Sequence, residues 1–511
     1  MMPRRRLVEI LGLGLAAACS CSAGAATLSI DTGRIAGERQ GEVTVFKGIP
    51  YAAAPVGALR WRAPQAPPSW RGVRATKQFG SACLQPQRDS VAENLGAPIS
   101  EDCLYLNVWR PGEGEGPWPV MVWIHGGALT HGAASTPQTD GAAIAARGIV
   151  FVSFNYRLGY LGFFSHPALT REAADGGQIA NYGLMDQVAA LRWVKRNIRA
   201  FGGDPSRVTV FGESAGAFSI QLLMVSPPAR GLFDRAIIQS GYYRGSFPRL
   251  DAVAPDGRAS AQSAGIAALD AIGVKAKNAD ELRGLTVPQL QAMPQHGFSG
   301  AVPAIDGRYV TDDLWPAWRA GKAAPVPIIV GATALETPAL PPSIRARVNE
   351  TLLKFISLEE QDGLVAAYGG PAAFDEHFSS DFSFAALLYS FARMHRAHGH
   401  PAYRYRFGAL PESAANRFRG LPHAGELPYV FGTLEHANWP MQGRDREISR
   451  AALDYWTAFA RGGVPAPPDR TAWPLADDDQ IMLFDNDGAR AIIDDRAPRY
   501  RAAAAILDPR S

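Results

Sequence analysis

Gly212-Glu213-Ser214-Ala215-Gly216 sets the tightest constraint on how this chain folds. A serine stands between two glycines directly after the β-rich run Arg207-Val208-Thr209-Val210-Phe211, and an apolar stretch from Ala217 to Met224 follows. The first run reads as a strand and the second as a buried helix. A turn this sharp brings the helix hard against the strand and strains the backbone of its central residue, so the neighbours have to be small. A serine at the apex presents its hydroxyl as a nucleophile.

A hydroxyl is a weak nucleophile until a base accepts its proton and an acid orients that base, so the rest of the chain is read for both. Ten histidines compete for the base. His423, in Gly420-Leu421-Pro422-His423-Ala424-Gly425-Glu426, lies in a loop after a strand, where it can point back at a sheet edge; a surface loop histidine is the alternative. Asp and Glu number 48, and spacing alone does not single one out. Glu336 is favoured because it follows the strand Val326 to Val330 by a short loop, and catalytic groups in open α/β sheets gather at the carboxyl ends of strands. A solvated loop carboxylate is its bland reading. Ser214, Glu336 and His423 also occur in the order nucleophile, acid, histidine. His125-Gly126-Gly127-Ala128 follows a strand ending at Ile124 and offers the N–H groups of Gly127 and Ala128, beside that of Ala215, to a tetrahedral oxyanion. His395, His398 and His400 cluster at a helix end without nearby acids or cysteines, and no metal site is assigned to them.

Around these positions the chain alternates strands with helices. Tyr105 to Trp109, Val120 to Ile124 and Val150 to Phe154 are continuous apolar strands that suit a mostly parallel sheet covered on both faces. Asp186 to Phe201 has the three-to-four apolar spacing of a helix, and Ala402 to Phe407 reads as a further strand. The Ala-rich segment around 252–293 has no strand and reads as helices inserted over the sheet. The class is α/β. A long Pro- and Gly-rich loop runs from Pro50 to Gly72 with Trp61 and Trp70 in it.

The first 25 residues read as an export signal: Arg4-Arg5-Arg6, an apolar run from Ile10 to Ala18, and an A-x-A site at Ala23-Gly24-Ala25. That run is too short to span a bilayer. Arg5-Arg6-Leu7-Val8 loosely suits a twin-arginine route, and Leu15 to Cys19 loosely resembles a lipoprotein box, which leaves a lipid anchor as an alternative. The expectation is an exported protein, periplasmic or secreted. Net charge is +3, of which Arg4, Arg5, Arg6 and Glu9 supply +2, so the body is nearly neutral. With no basic stripe and no interleaved aromatics, a nucleic-acid partner is excluded. Cys83 and Cys103 are the only cysteines of the body, and an isolated pair in an exported chain reads as a disulfide rather than a metal site.

Taken together, these motifs resemble the type B carboxylesterases, which include the cholinesterases. The resemblance rests on Phe46-Lys47-Gly48-Ile49-Pro50-Tyr51-Ala52, Glu101-Asp102-Cys103-Leu104-Tyr105-Leu106-Asn107-Val108, Asn155-Tyr156-Arg157-Leu158-Gly159, Phe201-Gly202-Gly203-Asp204-Pro205, Gly212 to Gly216 and His423 to Gly432. It implies the α/β-hydrolase fold as one catalytic unit over 26–511 and a disulfide joining Cys83 to Cys103. It also implies a serine esterase acting on a small-molecule ester without a cofactor, with Ser214 as nucleophile, Glu336 as acid, His423 as base and Gly127, Ala128 and Ala215 as oxyanion donors. A lipase or other ester hydrolase of the same mechanism is the nearest alternative, and a silent binding protein the remoter one. Two departures stand out: Leu335-Glu336-Thr337 where the family often has Asp-Glu-Gly, and Ala128 where it often has a third glycine. In the cholinesterases a tryptophan within the first disulfide loop receives quaternary ammonium. Between Cys83 and Cys103 this chain has no Trp, Tyr or Phe, so neutral esters are expected to outrun choline esters.

Overall fold

The computed structural model describes residues 26–507 except 87–94, 113, 115, 173–179, 243–245, 255–256, 295–301, 338–341 and 355. The expected leader over 1–25 lies outside the described residues. Two strands, β1 (Thr27–Ile30) and β2 (Gly33–Ala36), form a small sheet with β5 (Val73–Ala75). The short β6 (Ala82–Cys83) and β7 (Ile99–Ser100) pair with each other, and Cys83 is bonded to Cys103 across a Cα–Cα distance of 4.9 Å.

The remaining strands make one eleven-stranded sheet. In chain order they are β3 (Glu38–Gln40), β4 (Val43–Pro50), β8 (Tyr105–Pro111), β9 (Trp118–Ile124), β10 (Val150–Phe154), β11 (Gly203–Glu213), β12 (Arg235–Gln239), β13 (Ile328–Thr333), β14 (Ala402–Phe407), β15 (Gln480–Asp485) and β16 (Gly488–Ile493). Their order across the sheet is β16-β15-β14-β13-β12-β11-β9-β10-β8-β4-β3. From β10 through β9, β11, β12, β13 and β14 to β15 every pairing is parallel, while β8, β4, β3 and β16 join antiparallel at the flanks. The result is the mixed, centrally parallel sheet of the α/β class.

Alternation along the strands divides the core into two layers. Val120, Val122 and Ile124 pack on one face with Val208, Val210, Ile238 and Val330. Met121 and Trp123 pack on the other with Phe211, Ile237 and Ile329. Both faces are apolar because helices cover both, which is why these strands read as continuous apolar runs. The first layer is closed by the helices Tyr182–Asn197, Ala215–Val225 and Ala386–Ala397, the second by Gly443–Gly462. A buried ion pair lies in the first layer. Arg157, after β10, donates Nε and Nη2 to Asp186 at 2.8 and 2.7 Å, and so fixes the loop to the helix Tyr182–Asn197. Removing either partner alone would leave an uncompensated buried charge, at a cost of about 3–5 kcal/mol.

Over 252–293 the chain forms the helices Ala261–Asp270, Ala279–Arg283 and Val287–Ala292. A second helical block, from Pro342–Leu353 through Leu358–Ala367 and Pro371–Ser380 to Ala386–Ala397, precedes β14. Parallel neighbours require a crossover, and these two blocks are crossovers enlarged into helical layers.

Candidate active site

Strand β11 ends at Glu213, the helix Ala215–Val225 begins at once, and Ser214 between them has φ 54° and ψ −120°. A non-glycine residue held there costs about 1–3 kcal/mol, which the surroundings must enforce. Ser214 N donates to Gln239 O at 2.9 Å, extending the ladder to β12, and Ser214 O accepts from Phe218 N at 2.8 Å, opening the helix. The two glycines are needed because the helix crosses the end of β9. A Cβ on Gly216 would stand 1.9 Å from Ile124 O, and one on Gly212 would stand 2.7 Å from the same oxygen.

The chain leaves β9 through His125 and three consecutive left-handed residues, Gly127 (φ 102°), Ala128 (φ 53°) and Leu129 (φ 59°). Gly127 O accepts from Thr130 N at 2.9 Å and His131 N at 3.0 Å, which pins the turn. Gly126 lies against the elbow: its missing Cβ would be 3.3 Å from Ser214 Cβ. Beneath the turn, the His125 ring stacks on Tyr156 at 4.4 Å, and Tyr156 donates its hydroxyl to His125 O at 2.9 Å. Burial lowers His125 to about 4, so it is neutral at working pH, with Nδ1 paired to Gly126 O at 2.9 Å. His125 is thus a prop for the loop.

Glu336 stands just beyond β13 and is 3 % exposed. Its Oε1 accepts from Ser240 Oγ at 2.7 Å and from Thr333 N at 2.8 Å. Its Oε2 lies 2.5 Å from His423 Nδ1, and its carbonyl accepts from His423 N at 3.1 Å. A carboxylate on Nδ1 fixes the proton there and leaves Nε2 of the neutral ring as the acceptor. That Nε2 lies 3.2 Å from Glu213 Oε1, at ion-pair distance although not aligned for a hydrogen bond. The imidazole therefore meets the elbow at the residue immediately before Ser214. Phe384 covers the ring at 5.1 Å between centroids.

A third carboxyl completes the surroundings. Glu426 is fully buried and accepts from Gln239 Nε2 at 3.3 Å, while Gln239 Oε1 accepts from Trp456 Nε1 at 3.2 Å. Burial alone would lower the His423 pKa, but Glu213, Glu336 and Glu426 together push it above its ordinary value. Burial pushes Glu213 and Glu426 up, and the other carboxylates add to the rise, while His423 opposes it. One imidazole and its carboxyl neighbours share protons as a unit.

Of the residues singled out from sequence, Glu336 and His423 are in direct contact, and Ser214, Ala215 and the Gly126 to Ala128 turn are gathered at the same end of β9 and β11. The partners of Glu336, Ser240 and Ser380, carry no motif of their own. The one hint for Ser240 is that it follows β12 at the level of the elbow. His395 and His398 are tied separately to Val326 O and Arg319 O, and among the described residues no group of three or more His, Cys, Asp or Glu is placed to hold a metal. Nor is any described helix long and apolar enough to cross a membrane.

Comparison with known proteins places this arrangement in a lineage. The family model described as carboxylesterase family matches residues 24–365 and 372–500. A fumonisin B1 esterase of Sphingopyxis macrogoltabida is 36 % identical over 471 residues, spanning 87 % of this chain and 84 % of that protein. A para-nitrobenzyl esterase of Bacillus subtilis (strain 168) is 33 % identical over 479 residues, spanning 89 % and 94 %. Among solved structures, a PNB esterase superposes with a TM-score of 0.80 at 30 % identity, covering 93 % of this chain and 99 % of that one. With the fold and nearly the whole length in common, the chain belongs to the carboxylesterase family and is a carboxylic ester hydrolase.

Proposed function

We propose that the protein hydrolyses esters through an acyl-enzyme on Ser214, with His423 as general base and acid, Glu336 as the orienting carboxylate, and the N–H groups of Gly127, Ala128 and Ala215 as oxyanion donors. The observation that carries this reading is the 2.5 Å contact between Glu336 and His423 Nδ1, which turns Nε2 toward the elbow. In the first half-reaction the Ser214 hydroxyl gives its proton to Nε2 as Oγ bonds to the ester carbonyl carbon. The carbonyl oxygen takes the charge and is met by the three N–H groups; that of Ala215, at the first position of its helix, has no intrahelical acceptor. Collapse of the intermediate breaks the carbon to alkoxy-oxygen bond, and the imidazolium returns the proton to the departing alcohol. Water repeats the sequence on the acyl group and restores Ser214. Nε2 turns from Glu213 to the adjacent Ser214 Oγ as the substrate complex tightens.

Reaction with an organophosphate tests this. One equivalent is expected to attach to Ser214 and abolish hydrolysis, and Ser214→Ala is expected to lower kcat by about 10⁴-fold or more. Label on another residue, or full activity in Ser214→Ala, overturns the reading. Export is proposed with it, on the leader pattern of Arg4 to Ala25 and in keeping with the Cys83–Cys103 bond. A mature amino terminus near Ala26 in a periplasmic or culture fraction is the outcome expected. For substrate, a neutral ester is expected to exceed its choline isostere in kcat/KM by roughly ten-fold, the worth of a lost aromatic contact.

A further inference from the structure

The loop that carries Glu336 is held by residues far away in the chain. Ala334 N donates to Phe407 O at 2.7 Å, and Ala334 O accepts from Arg496 Nη1 at 2.5 Å. Two residues on, Glu336 N donates to Ser380 Oγ at 2.8 Å. Arg496 is itself set by Asp494, whose carboxylate is 2 % exposed. That carboxylate accepts from Arg404 Nη2 at 2.6 Å, from Arg406 Nη1 at 2.8 Å and from Arg496 N at 3.1 Å. The segment after β16 is therefore anchored on β14 through one carboxylate, and Arg496 reaches from that anchor to the acid loop.

An electrostatic effect at Asp381 accompanies this bond. This residue directly follows Ser380, is 2 % exposed and begins the one π-turn Asp381–Ala385 of the described residues, a local departure from helical regularity. Burial raises Asp381 to about 6, and Arg496, ahead of Arg499 and Arg406, opposes the rise. The same guanidinium thus bonds to the loop two residues before Glu336 and acts, through charge alone, on the carboxyl next to the residue that receives the Glu336 N–H.

We infer that Arg496 is a positioning residue for the reaction: holding the Ala334 carbonyl from its anchor at Asp494, it fixes the loop that delivers Glu336 to His423. This rests on the proposed role of Glu336 as the acid. The physical need is strict, since a displacement of about 1 Å in a group that orients a base costs roughly 10²-fold in rate. A guanidinium suits the task, because it stays charged and its planar, pre-organised fork loses little freedom in bonding a carbonyl.

The test is a cycle in the full-length protein: Arg496→Gln and Arg496→Lys, each alone and combined with Glu336→Gln. Arg496→Gln is expected to lower kcat by roughly ten-fold or more with KM changed less than about two-fold. Its acid limb in kcat/KM moves to lower pH, because a looser Glu336 raises the His423 pKa less. Arg496→Lys, which keeps the charge and a donor, regains part of kcat. In the Glu336→Gln background the Arg496→Gln step changes kcat by less than about two-fold, since an effect routed through Glu336 has nothing left to act on. Equal losses in both backgrounds overturn the inference, as does a lower Tm with kcat and the acid limb unmoved. If Glu336→Gln alone keeps full kcat, the assignment of the acid fails and this inference falls with it, whereas Ser214 labelling is unaffected. Where Arg496→Gln does not fold, Arg496→Lys runs the same cycle.

Discussion

The Ser214 elbow and the Glu336 loop sit two strands apart at the same end of the sheet, and they are held in different ways. The elbow is held by backbone against backbone: Gly212 and Gly216 let the helix Ala215–Val225 lie on Ile124 O, and Ser214 is bonded by main chain on both sides. The Glu336 loop has backbone bonds to Phe407 and His423 but adds to them side chains delivered from distant segments, Ser240 after β12, Ser380 at a helix end and Arg496 near the carboxyl terminus. A site that must place a strained residue uses sterics within five positions. A site that must tune a carboxylate draws its donors from wherever the fold brings them.

Substitutions should therefore break the two regions in different observables. The largest effect is expected at Gly216→Ala, where the new Cβ meets a backbone oxygen at 1.9 Å that no rotamer relieves. The helix has to move off β9, at a cost of about 3 kcal/mol or more, read as a lower urea midpoint together with lost activity. Near-native stability in Gly216→Ala would show that the elbow is not sterically locked. At the acid loop the expected pattern is reversed. Ser240→Ala removes one of two donors to Glu336 Oε1 while Thr333 N stays. Stability should fall by only about 1–2 kcal/mol, while kcat drops roughly ten-fold at near-constant KM. An equal injury to folding and to kcat in both variants would erase the distinction.

The same contrast explains what the sequence made legible. A steric requirement at fixed spacing is written in adjacent letters, so Gly212 to Gly216, the His125 to Ala128 turn and the apolar strands β8, β9 and β10 could be read directly. Ala402 to Phe407 was bounded as the strand it forms. Strand β12 is not legible in the sequence, because Arg235-Ala236-Ile237-Ile238-Gln239 is short and opens on a charge, and only its place between β11 and β13 makes it central. The β15 and β16 hairpin and the helical block from Pro342 to Ala397 also depend on tertiary partners. Glu336 was reached through strand-end logic and family resemblance, and nothing local to it announces Ser380 or Arg496. Hydrogen bonds spanning 44 and 162 residues leave no periodic trace.

The smallest expected effect tests the point where the two regions meet, the His423 ring between Glu336 Oε2 at 2.5 Å and Glu213 Oε1 at 3.2 Å. In the proposed mechanism His423 must be neutral to accept the Ser214 proton, so hydrolysis should be lost as pH falls through its pKa. Burial would move that pKa down and help the reaction at low pH, but Glu213, then Glu336 and Glu426, move it up, so the acid limb should lie above the value near 6.5 of a free histidine. Glu213→Gln keeps the shape and removes one of the charges. The imidazolium loses part of its stabilisation, the pKa falls, and the acid limb should shift by roughly one unit toward lower pH. On the plateau above the limb, kcat/KM should change less than about three-fold, because Glu336 still sets the tautomer. Profiles of kcat/KM from about pH 5 to about pH 11 for the two proteins decide it. A limb that stays in place would mean that the elbow contributes the nucleophile alone and that the proton on His423 is governed entirely from the side of the acid loop.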